Sequence, residues 1–317
     1  MKEFNLYNFK SKKVDVFLPT YNRAGFLEEM ITSILQQTFK NFNLIILDNA
    51  STDNTIGVVN KFKDSRLYYL KSEENSREFL NFPFKIVKSK YFVIVHDDDT
   101  LEPNFLAHQI PILEGDQEII MIASKINLIN EKGNKLNKIR PRNLSSTKFW
   151  KRHEFIKTYF IKGDIVPCPT LIFRRTFIKK SKLNFEFKVG PAVDLYLLFK
   201  SNLLEGKIGI GNKALYNYRL HESQDSHINR LSLEYQVRPY IIEMLKDNKK
   251  LQKKYKQSSL AFIFQIIIGD YLSSLITYSI FKEHFKKLVF LGFSINFYTI
   301  YWSFIGLFRG IKNRILL

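Results

Sequence analysis

The chain is almost free of cysteine, since Cys168 is the only one among 317 residues. No disulfide can form within the chain, and this composition is expected of a protein that works in a reducing compartment. The sequence also lacks internal repeats and low-complexity tracts. Its hydrophobic content of 45% excludes wholesale disorder. The length suits one large domain with an additional, smaller region.

Acidic residues are scarce, with 30 Asp and Glu against 49 Lys and Arg, a formal net charge of +19. Such a charge predicts an anionic partner. Nucleic acid is not expected, because no helix-turn-helix, zinc-finger or RNP-like pattern is present. Anionic lipid is the better candidate. The first residues, 1–13, contain no apolar signal segment. We therefore expect a cytoplasmic protein, peripherally associated with the inner membrane.

The N-terminal part of the chain alternates apolar runs that are typical of strands with a helical pattern. Val14–Leu18, Phe42–Leu47 and Tyr91–Val95 are rich in β-branched and aromatic residues. Leu27–Gln37 places its apolar residues on one helical face. Strands that alternate with helices in this order predict an α/β fold with a parallel, doubly wound sheet.

Three consecutive carboxylates, Asp97–Asp99, follow the strand Tyr91–Val95 directly. Open α/β sheets bind ligands at the carboxyl ends of their strands, and Asp48 lies at the same predicted rim. Three adjacent anions repel one another unless cations or hydrogen-bond donors compensate them. Hard divalent ions prefer carboxylate oxygens and also bind phosphates. An acidic surface turn is the alternative for an isolated triplet.

Four segments together resemble glycosyltransferase family 2, the inverting enzymes of the GT-A fold. They are Pro19–Arg23, Leu47–Thr55, Asp97–Pro103 and Gly190–Leu197. The resemblance covers about the first two thirds of the chain. It implies a Rossmann-like, mostly parallel sheet flanked by helices, a nucleotide-sugar donor and a divalent metal, Mn or Mg. His96 stands where the family usually carries an acidic residue. The resemblance therefore leaves open which carboxylate binds the metal; Asp98 is preferred, and Asp99 comes next.

The resemblance also assigns a set of nucleotide-sugar-binding residues. Tyr21 would stack on the base, Asp48 would accept the imide N–H of uracil, and Arg77 would neutralise the diphosphate. The alternatives are that Asp48 caps the following helix and that Arg77 is simply solvated. Ser51 and Asp53 are further capping candidates. The full set is Pro19, Thr20, Tyr21, Asn22, Arg23, Asp48, Asn49, Arg77, Asp97 and Asp98.

Asp194 is the candidate catalytic base, in the first turn of a helix predicted for Pro191–Lys200. It would take a proton from the acceptor hydroxyl. An aspartate in a first turn is otherwise a dipole-compensating residue, and Glu222 is the reserve base. His221 follows the last predicted strand and is a further candidate metal ligand.

Residues 1–230 are expected to form the catalytic GT-A domain, with a nucleotide-sugar half, 1–105, and an acceptor half, 106–230. Asn127–Ser146 is polar and predicts a hairpin or mobile loop. Residues 231–317 form a helical, apolar and basic extension. Two of its segments, Leu260–Phe281 and Leu288–Phe308, predict amphipathic helices on the cytoplasmic leaflet, with Trp302 at the interface. The alternative is that both pack as ordinary core.

The sequence thus predicts a metal-dependent, inverting glycosyltransferase of bacterial type. Its donor would be a UDP-sugar, and its acceptor a hydroxyl of a glycan or lipid-linked glycan in surface-polysaccharide synthesis. Two alternatives stay open. One is a Mg-dependent sugar nucleotidyltransferase, although Pro19–Asn22 is not a Gly-rich phosphate loop. The other is a non-catalytic, membrane-bound glycan-binding or scaffold protein on the same fold.

Overall fold

The computed structural model describes residues 9–142, 144–162, 166–221, 230–272 and 276–291. They contain ten strands: β1 (Val14–Thr20), β2 (Phe42–Asp48), β3 (Leu67–Lys71), β4 (Tyr91–Ile94), β5 (Thr100–Leu101), β6 (Ile119–Ile129), β7 (Lys135–Arg140), β8 (Lys148–Lys151), β9 (Ile172–Arg174) and β10 (Lys207–Arg219). They also contain ten α-helices: α1 (Ala24–Leu35), α2 (Thr55–Asn60), α3 (Phe82–Ile86), α4 (Phe105–Gly115), α5 (Glu154–Lys162), α6 (Arg175–Ser181), α7 (Val193–Ser201), α8 (Arg230–Met244), α9 (Lys249–Leu272) and α10 (Tyr278–Phe290).

All ten strands belong to one sheet, in the order β3-β2-β1-β4-β9-β6-β10-β5, with β7 beside β6 and β8 beside β10. The neighbours β3, β2, β1 and β4 run parallel to one another. Residues of β1, β2 and β4 are almost all buried, as expected for parallel strands covered on both faces. The predicted α/β, GT-A fold class is confirmed. Beyond β4 the sheet is mixed, because β9 is antiparallel to both β4 and β6.

Strand β1 is longer than the sequence pattern predicted. Pro19 and Thr20, which were expected to begin a loop, pair with Leu47 and Asp48 of β2. The prediction was wrong because a proline was taken to end the strand. Strand β4 pairs with β1 only as far as Phe17. Among the described strands, none pairs with Pro19 on that side, so the N–H that proline lacks is not required for a ladder hydrogen bond there.

The helix α1 packs on the sheet with the predicted apolar face. Leu27, Met30, Ile31 and Ile34 are fully buried. Each such side chain contributes about 1.5–3 kcal/mol relative to an exposed position. The helix begins at Ala24, earlier than predicted, and this brings Arg23 directly to its N-terminus.

The polar segment 127–146 contains a hairpin, which was one of the two structures predicted for it. Strand β6 ends at Ile129 and pairs antiparallel with β7. The turn is closed by hydrogen bonds from Asn130 N to Asn134 O and from Gly133 N to Asn130 O, both 2.9 Å. Gly133 has a φ of 83°, a conformation that glycine adopts without steric cost.

The chain divides into two compact units. The first comprises Met1–Phe155, Ile165–Phe187 and Leu197–Gln224, and the second comprises Ile156–Asp164, Lys188–Tyr196 and Asp225–Leu317. The predicted boundary at residue 230 stays a prediction.

The described residues of the C-terminal region form mainly helices, as predicted, but Leu260–Phe281 is not one helix. Helix α9 ends at Leu272 and α10 begins at Tyr278, where the Thr277 hydroxyl accepts a hydrogen bond from Ile280 N at 3.4 Å. A threonine at this position favours a helix start. Leu260, Ile263 and Ile267 of α9 form an apolar cluster with Leu288 of α10.

Within the described parts of the chain, we find no helix with both the length and the hydrophobicity needed to cross a membrane. Most of the predicted helix Leu288–Phe308, including Trp302, lies outside the described residues.

Candidate active site

The aspartate triplet and the loop after β1 meet at the carboxyl ends of two neighbouring strands. Arg23 links them: its Nη1 lies 2.7 Å from Asp98 Oδ2 and 3.3 Å from Asp97 Oδ1. Both carboxylates are buried. Burial raises the pKa of Asp97 above its ordinary value, although the Arg23 charge opposes this. Arg23 therefore partly neutralises the cluster that the sequence identified as electrostatically costly.

Asp98 is also bound by His221, whose Nε2 lies 3.1 Å from Asp98 Oδ2. Burial by itself would raise the pKa of Asp98, but His96, His221 and Arg23 outweigh it and hold that pKa below its ordinary value. Asp98 is therefore the carboxylate of the triplet that most readily stays ionised. His221, predicted from its position after the last strand, does come to this loop.

Asp99 has a different environment, because it is completely buried. Its Oδ2 accepts a hydrogen bond from the Tyr216 hydroxyl at 2.8 Å, and its Oδ1 accepts one from Arg219 N at 2.8 Å. Burial raises the pKa of Asp99 to about 7. Asp99 thus ties the loop to β10, in addition to any role as a ligand.

Three residues of the site were not among the predicted set: His96, Tyr216 and Arg219. Arg219 is buried, and its Nε donates to the carbonyl of Asp98 at 2.6 Å. Its Nη1 donates to Glu131 O at 2.7 Å, and its Nη2 pairs with Glu29. The sequence signal for His96 was its place in the family's acidic motif. The signal for Tyr216 and Arg219 was their position near the end of a strand that returns to the loop.

The loop offers donors that suit a divalent cation. One ligand atom each from His96, Asp98 and Asp99 lies within 4.8 Å of the others. Carboxylate oxygens with an imidazole nitrogen fit Mn²⁺ well and Mg²⁺ less well. The predicted set was Asp98, Asp99 and His221. The structure therefore groups two of these with His96, and places His221 against Asp98.

Asp48, the candidate uracil acceptor, is fully buried at the end of β2. Its Oδ1 accepts from Ser51 N at 2.7 Å, and its Oδ2 accepts from the Tyr69 hydroxyl. Asp48 therefore stabilises the loop that follows β2. The start of α2 is instead stabilised by Asp53, which accepts a hydrogen bond from Thr55 N at 3.0 Å.

Asn22 and Asn49 hold the loops around Asp48 in place. Asn22 has a φ of 51°, which asparagine tolerates, and its Oδ1 accepts from Thr52 N at 2.8 Å. Asn49 Oδ1 accepts from Ser76 N at 3.0 Å, next to Arg77.

The remaining predicted nucleotide-binding residues differ in exposure. Tyr21 is 43% exposed and Arg77 is also exposed, so both are available to a ligand. Thr20 is buried and Pro19 is partly buried, in the last two positions of β1.

Asp194 lies in the first turn of α7, as predicted, in the second compact unit. Its Oδ1 accepts a hydrogen bond from Leu195 N at 2.7 Å. The reserve base, Glu222, lies outside the described residues. The catalytic role of Asp194 stays a prediction.

A Rossmann-like sheet with a buried Asp-rich loop at the carboxyl end of β4 is the architecture of a GT-A glycosyltransferase. The sequence pattern described as "Glycosyl transferase family 2" matches residues 15–180, and the chain belongs to that family. It is 28% identical over 228 residues to an uncharacterised glycosyltransferase of Rickettsia typhi, covering 72% of this chain and 70% of the relative. It is 27% identical over 189 residues to UDP-Glc:alpha-D-GlcNAc-diphosphoundecaprenol beta-1,3-glucosyltransferase WfaP of Escherichia coli, covering 59% of this chain and 70% of WfaP. The chain is therefore a transferase of a glycosyl transferase family, and membership of this family disfavours both the scaffold and the nucleotidyltransferase alternatives.

Solved structures show the same fold. TarS of S. aureus, residues 1–349 in complex with UDP-GlcNAc, has a TM-score of 0.63 at 18% identity, covering 79% of this chain and 73% of TarS. The mannosyltransferase PcManGT of Pyrobaculum calidifontis, in complex with GDP-Man and Mn²⁺, has a TM-score of 0.54 at 13% identity, covering 96% of this chain and 88% of PcManGT.

Proposed function

We propose that this protein is a metal-dependent, inverting glycosyltransferase that moves a sugar from a UDP-sugar to a hydroxyl of a surface-polysaccharide precursor. The observation that carries the proposal is the group of possible metal ligands formed by His96, Asp98 and Asp99. Family membership supports the transferase activity. The name of the WfaP relative supports a UDP-sugar donor and a lipid-linked glycan acceptor.

The donor would bind along the loops after β1, β2 and β3. The exposed ring of Tyr21 offers a stacking surface for the base. Asp48 would meet the uracil through the remaining lone pairs of its oxygens, which already accept one hydrogen bond each from the protein. Arg77 is exposed and would neutralise the diphosphate.

A divalent ion would be held by Asp98 and Asp99, with His221 or His96 supplying nitrogen. When bound, it would stabilise the charge that develops on the departing diphosphate. The surrounding side chains keep these metal ligands in place. Arg23 holds Asp98 by an ion pair of 2.7 Å, and Tyr216 and Arg219 hold Asp99.

Asp194 would act as the base. A carboxylate in this role takes the proton of the acceptor hydroxyl while that oxygen attacks the anomeric carbon. The sugar–oxygen bond to the diphosphate breaks as the new bond forms. A single displacement of this kind inverts the configuration at that carbon.

Peripheral association with the cytoplasmic membrane surface would bring the enzyme to a lipid-linked acceptor. The helix α10 supports this, because Tyr278, Ile280 and Val289 are 64%, 42% and 53% exposed. Exposed lysines of the same helix, Lys282 and Lys286, would face anionic head groups.

The decisive experiment is a panel of nucleotide sugars with Mn²⁺, in which slow hydrolysis of each donor is measured without an acceptor. We expect one UDP-sugar to be hydrolysed, and hydrolysis to stop with EDTA. Turnover of GDP-sugars alone would overturn the choice of UDP. Failure to bind or hydrolyse any nucleotide sugar would overturn the proposed function.

A further inference from the structure

The hairpin formed by β6 and β7 carries a concentration of positive charge. We call residues 130–142 the basic hairpin. Its cations are Lys132, Lys135, Lys138, Arg140 and Arg142, and Glu131 is its only acidic residue. Lys135 pairs with Glu102 at 2.7 Å. In the part of the chain that the structure describes, the other four cations form no ion pair, and all four are exposed.

The same hairpin exposes apolar side chains. Leu136 and Ile139 are 37% and 39% exposed. All residues of β7 are exposed. Among the strands that the structure describes, β7 pairs with β6 and with no other, so it lies at an edge of the described sheet. Lysines on an edge strand also discourage pairing with another sheet. That explanation accounts for the cations but not for the two exposed aliphatic side chains.

The turn of the basic hairpin is attached to the loop that holds the aspartate triplet. Arg219 donates from Nη1 to Glu131 O at 2.7 Å and from Nε to Asp98 O at 2.6 Å. Leu220, which is 41% exposed, donates from its backbone N to Ile129 O at 2.9 Å. The cations and exposed apolar residues therefore lie at the rim that carries Asp98.

We propose that the basic hairpin docks on an anionic phospholipid bilayer, with its cations at the head groups and Leu136 and Ile139 in the interface. Charge complementarity selects an anionic partner, and the aliphatic side chains select a lipid surface over a soluble anion. The inference rests on the proposed membrane association. It adds a second contact, in the first compact unit, to the one proposed for α10. Docking at this rim brings the loop with Asp97–Asp99 close to an acceptor that is anchored in the same membrane.

The test measures binding of the full chain to phosphatidylglycerol-containing and pure phosphatidylcholine vesicles by cosedimentation. The hairpin variant is Lys132→Gln/Lys138→Gln/Arg140→Gln/Arg142→Gln. Its matched control removes four exposed lysines elsewhere in the same unit: Lys10→Gln/Lys63→Gln/Lys85→Gln/Lys180→Gln. A second variant, Leu136→Ser/Ile139→Ser, removes the apolar part alone. Binding of UDP to each variant by calorimetry verifies that the site is folded.

We expect the wild type to bind only the anionic vesicles. Each neutralised cation near such a surface weakens binding by about 5-fold. The hairpin variant, which loses four cations, should therefore bind about 10²- to 10³-fold more weakly. The control should lose far less, and the Leu136→Ser/Ile139→Ser variant should bind several-fold more weakly.

Equal vesicle binding by the hairpin variant and its control would overturn the inference while leaving peripheral association intact. A wild type that ignores anionic vesicles would overturn both. Self-association of the hairpin variant with unchanged vesicle binding would show that the cations only protect the sheet edge. Undiminished binding after Leu136→Ser/Ile139→Ser would overturn the lipid-interface contact.

Discussion

Arg219 donates from its side-chain Nε to the carbonyl of Asp98 at 2.6 Å, and its backbone N donates to Asp99 Oδ1 at 2.8 Å. One residue at the end of β10 therefore holds two consecutive residues of the loop after β4. The Arg219 side chain is almost completely buried. Removing its guanidinium therefore leaves the Asp98 carbonyl without this donor in a buried position, while the backbone bond to Asp99 remains.

Arg219→Lys should destabilise the protein and loosen the loop. A lysine ammonium cannot reproduce the planar fork that reaches Asp98 O, Glu131 O and Glu29. We expect a loss of about 2–4 kcal/mol of unfolding free energy in urea titrations, together with weaker Mn²⁺ binding in calorimetry. The control is Arg175→Lys in the same unit, which should change neither. Unchanged stability of Arg219→Lys would contradict the anchoring role.

Asp98→Asn should imitate removal of the metal. An amide is a weaker ligand for a hard cation than a carboxylate. We expect UDP to bind at least ~10-fold more weakly to this variant, and to the wild type treated with EDTA, in calorimetry. Glu73→Gln makes the same chemical change at an exposed position and should bind UDP normally. UDP affinity that is insensitive to both EDTA and Asp98→Asn would remove Asp98 from the metal site.

Asp194→Asn should abolish most of the turnover but preserve donor binding. The amide keeps the shape of the side chain but cannot take the acceptor proton, so kcat should fall ~10²-fold or more. Calorimetry should show an unchanged Kd for UDP. The control is Asp247→Asn, an exposed carboxylate of the same compact unit. Near-normal transfer by Asp194→Asn would move the role of base to another carboxylate, with Glu222 tested next.

The stabilisation that Glu114 provides should disappear in acid. Hydrogen bonds from Tyr91 and Lys90, and then from Lys13, lower the pKa of Glu114 to about 2. A lowered pKa in the folded state means that the stabilisation is present above the unfolded value of 4.5 and is lost as the pH falls toward 2. Because the side chain is 35% exposed, solvent screening limits the effect to about 1 kcal/mol.

Urea unfolding of Glu114→Gln and wild type at several pH values tests this. The difference in unfolding free energy should be about 1 kcal/mol at neutral pH and should shrink below pH ~4. Glu74→Gln, at an exposed position, should show no such trend. A difference that stays constant with pH would mean that Glu114 acts through packing and not through its charge.

Local patterns were enough to predict the framework of this protein. The apolar runs of β1, β2 and β4, the buried face of α1 and the position of Asp97–Asp99 follow from neighbouring residues in the chain. Such patterns identify strands because a sheet covered on both faces needs continuous apolar segments. The order of these elements, together with the family motifs at the strand ends, was sufficient to predict the family and the fold class.

The tertiary structure decided which environment each aspartate of the triplet receives. Asp98 is held by Arg23 and His221, whereas Asp99 is buried against Tyr216 and Arg219. Those partners lie up to 123 residues away along the chain, so no local pattern distinguishes three consecutive carboxylates. Burial and hydrogen bonding set the pKa of a carboxyl, and both depend on what the folded chain brings beside it.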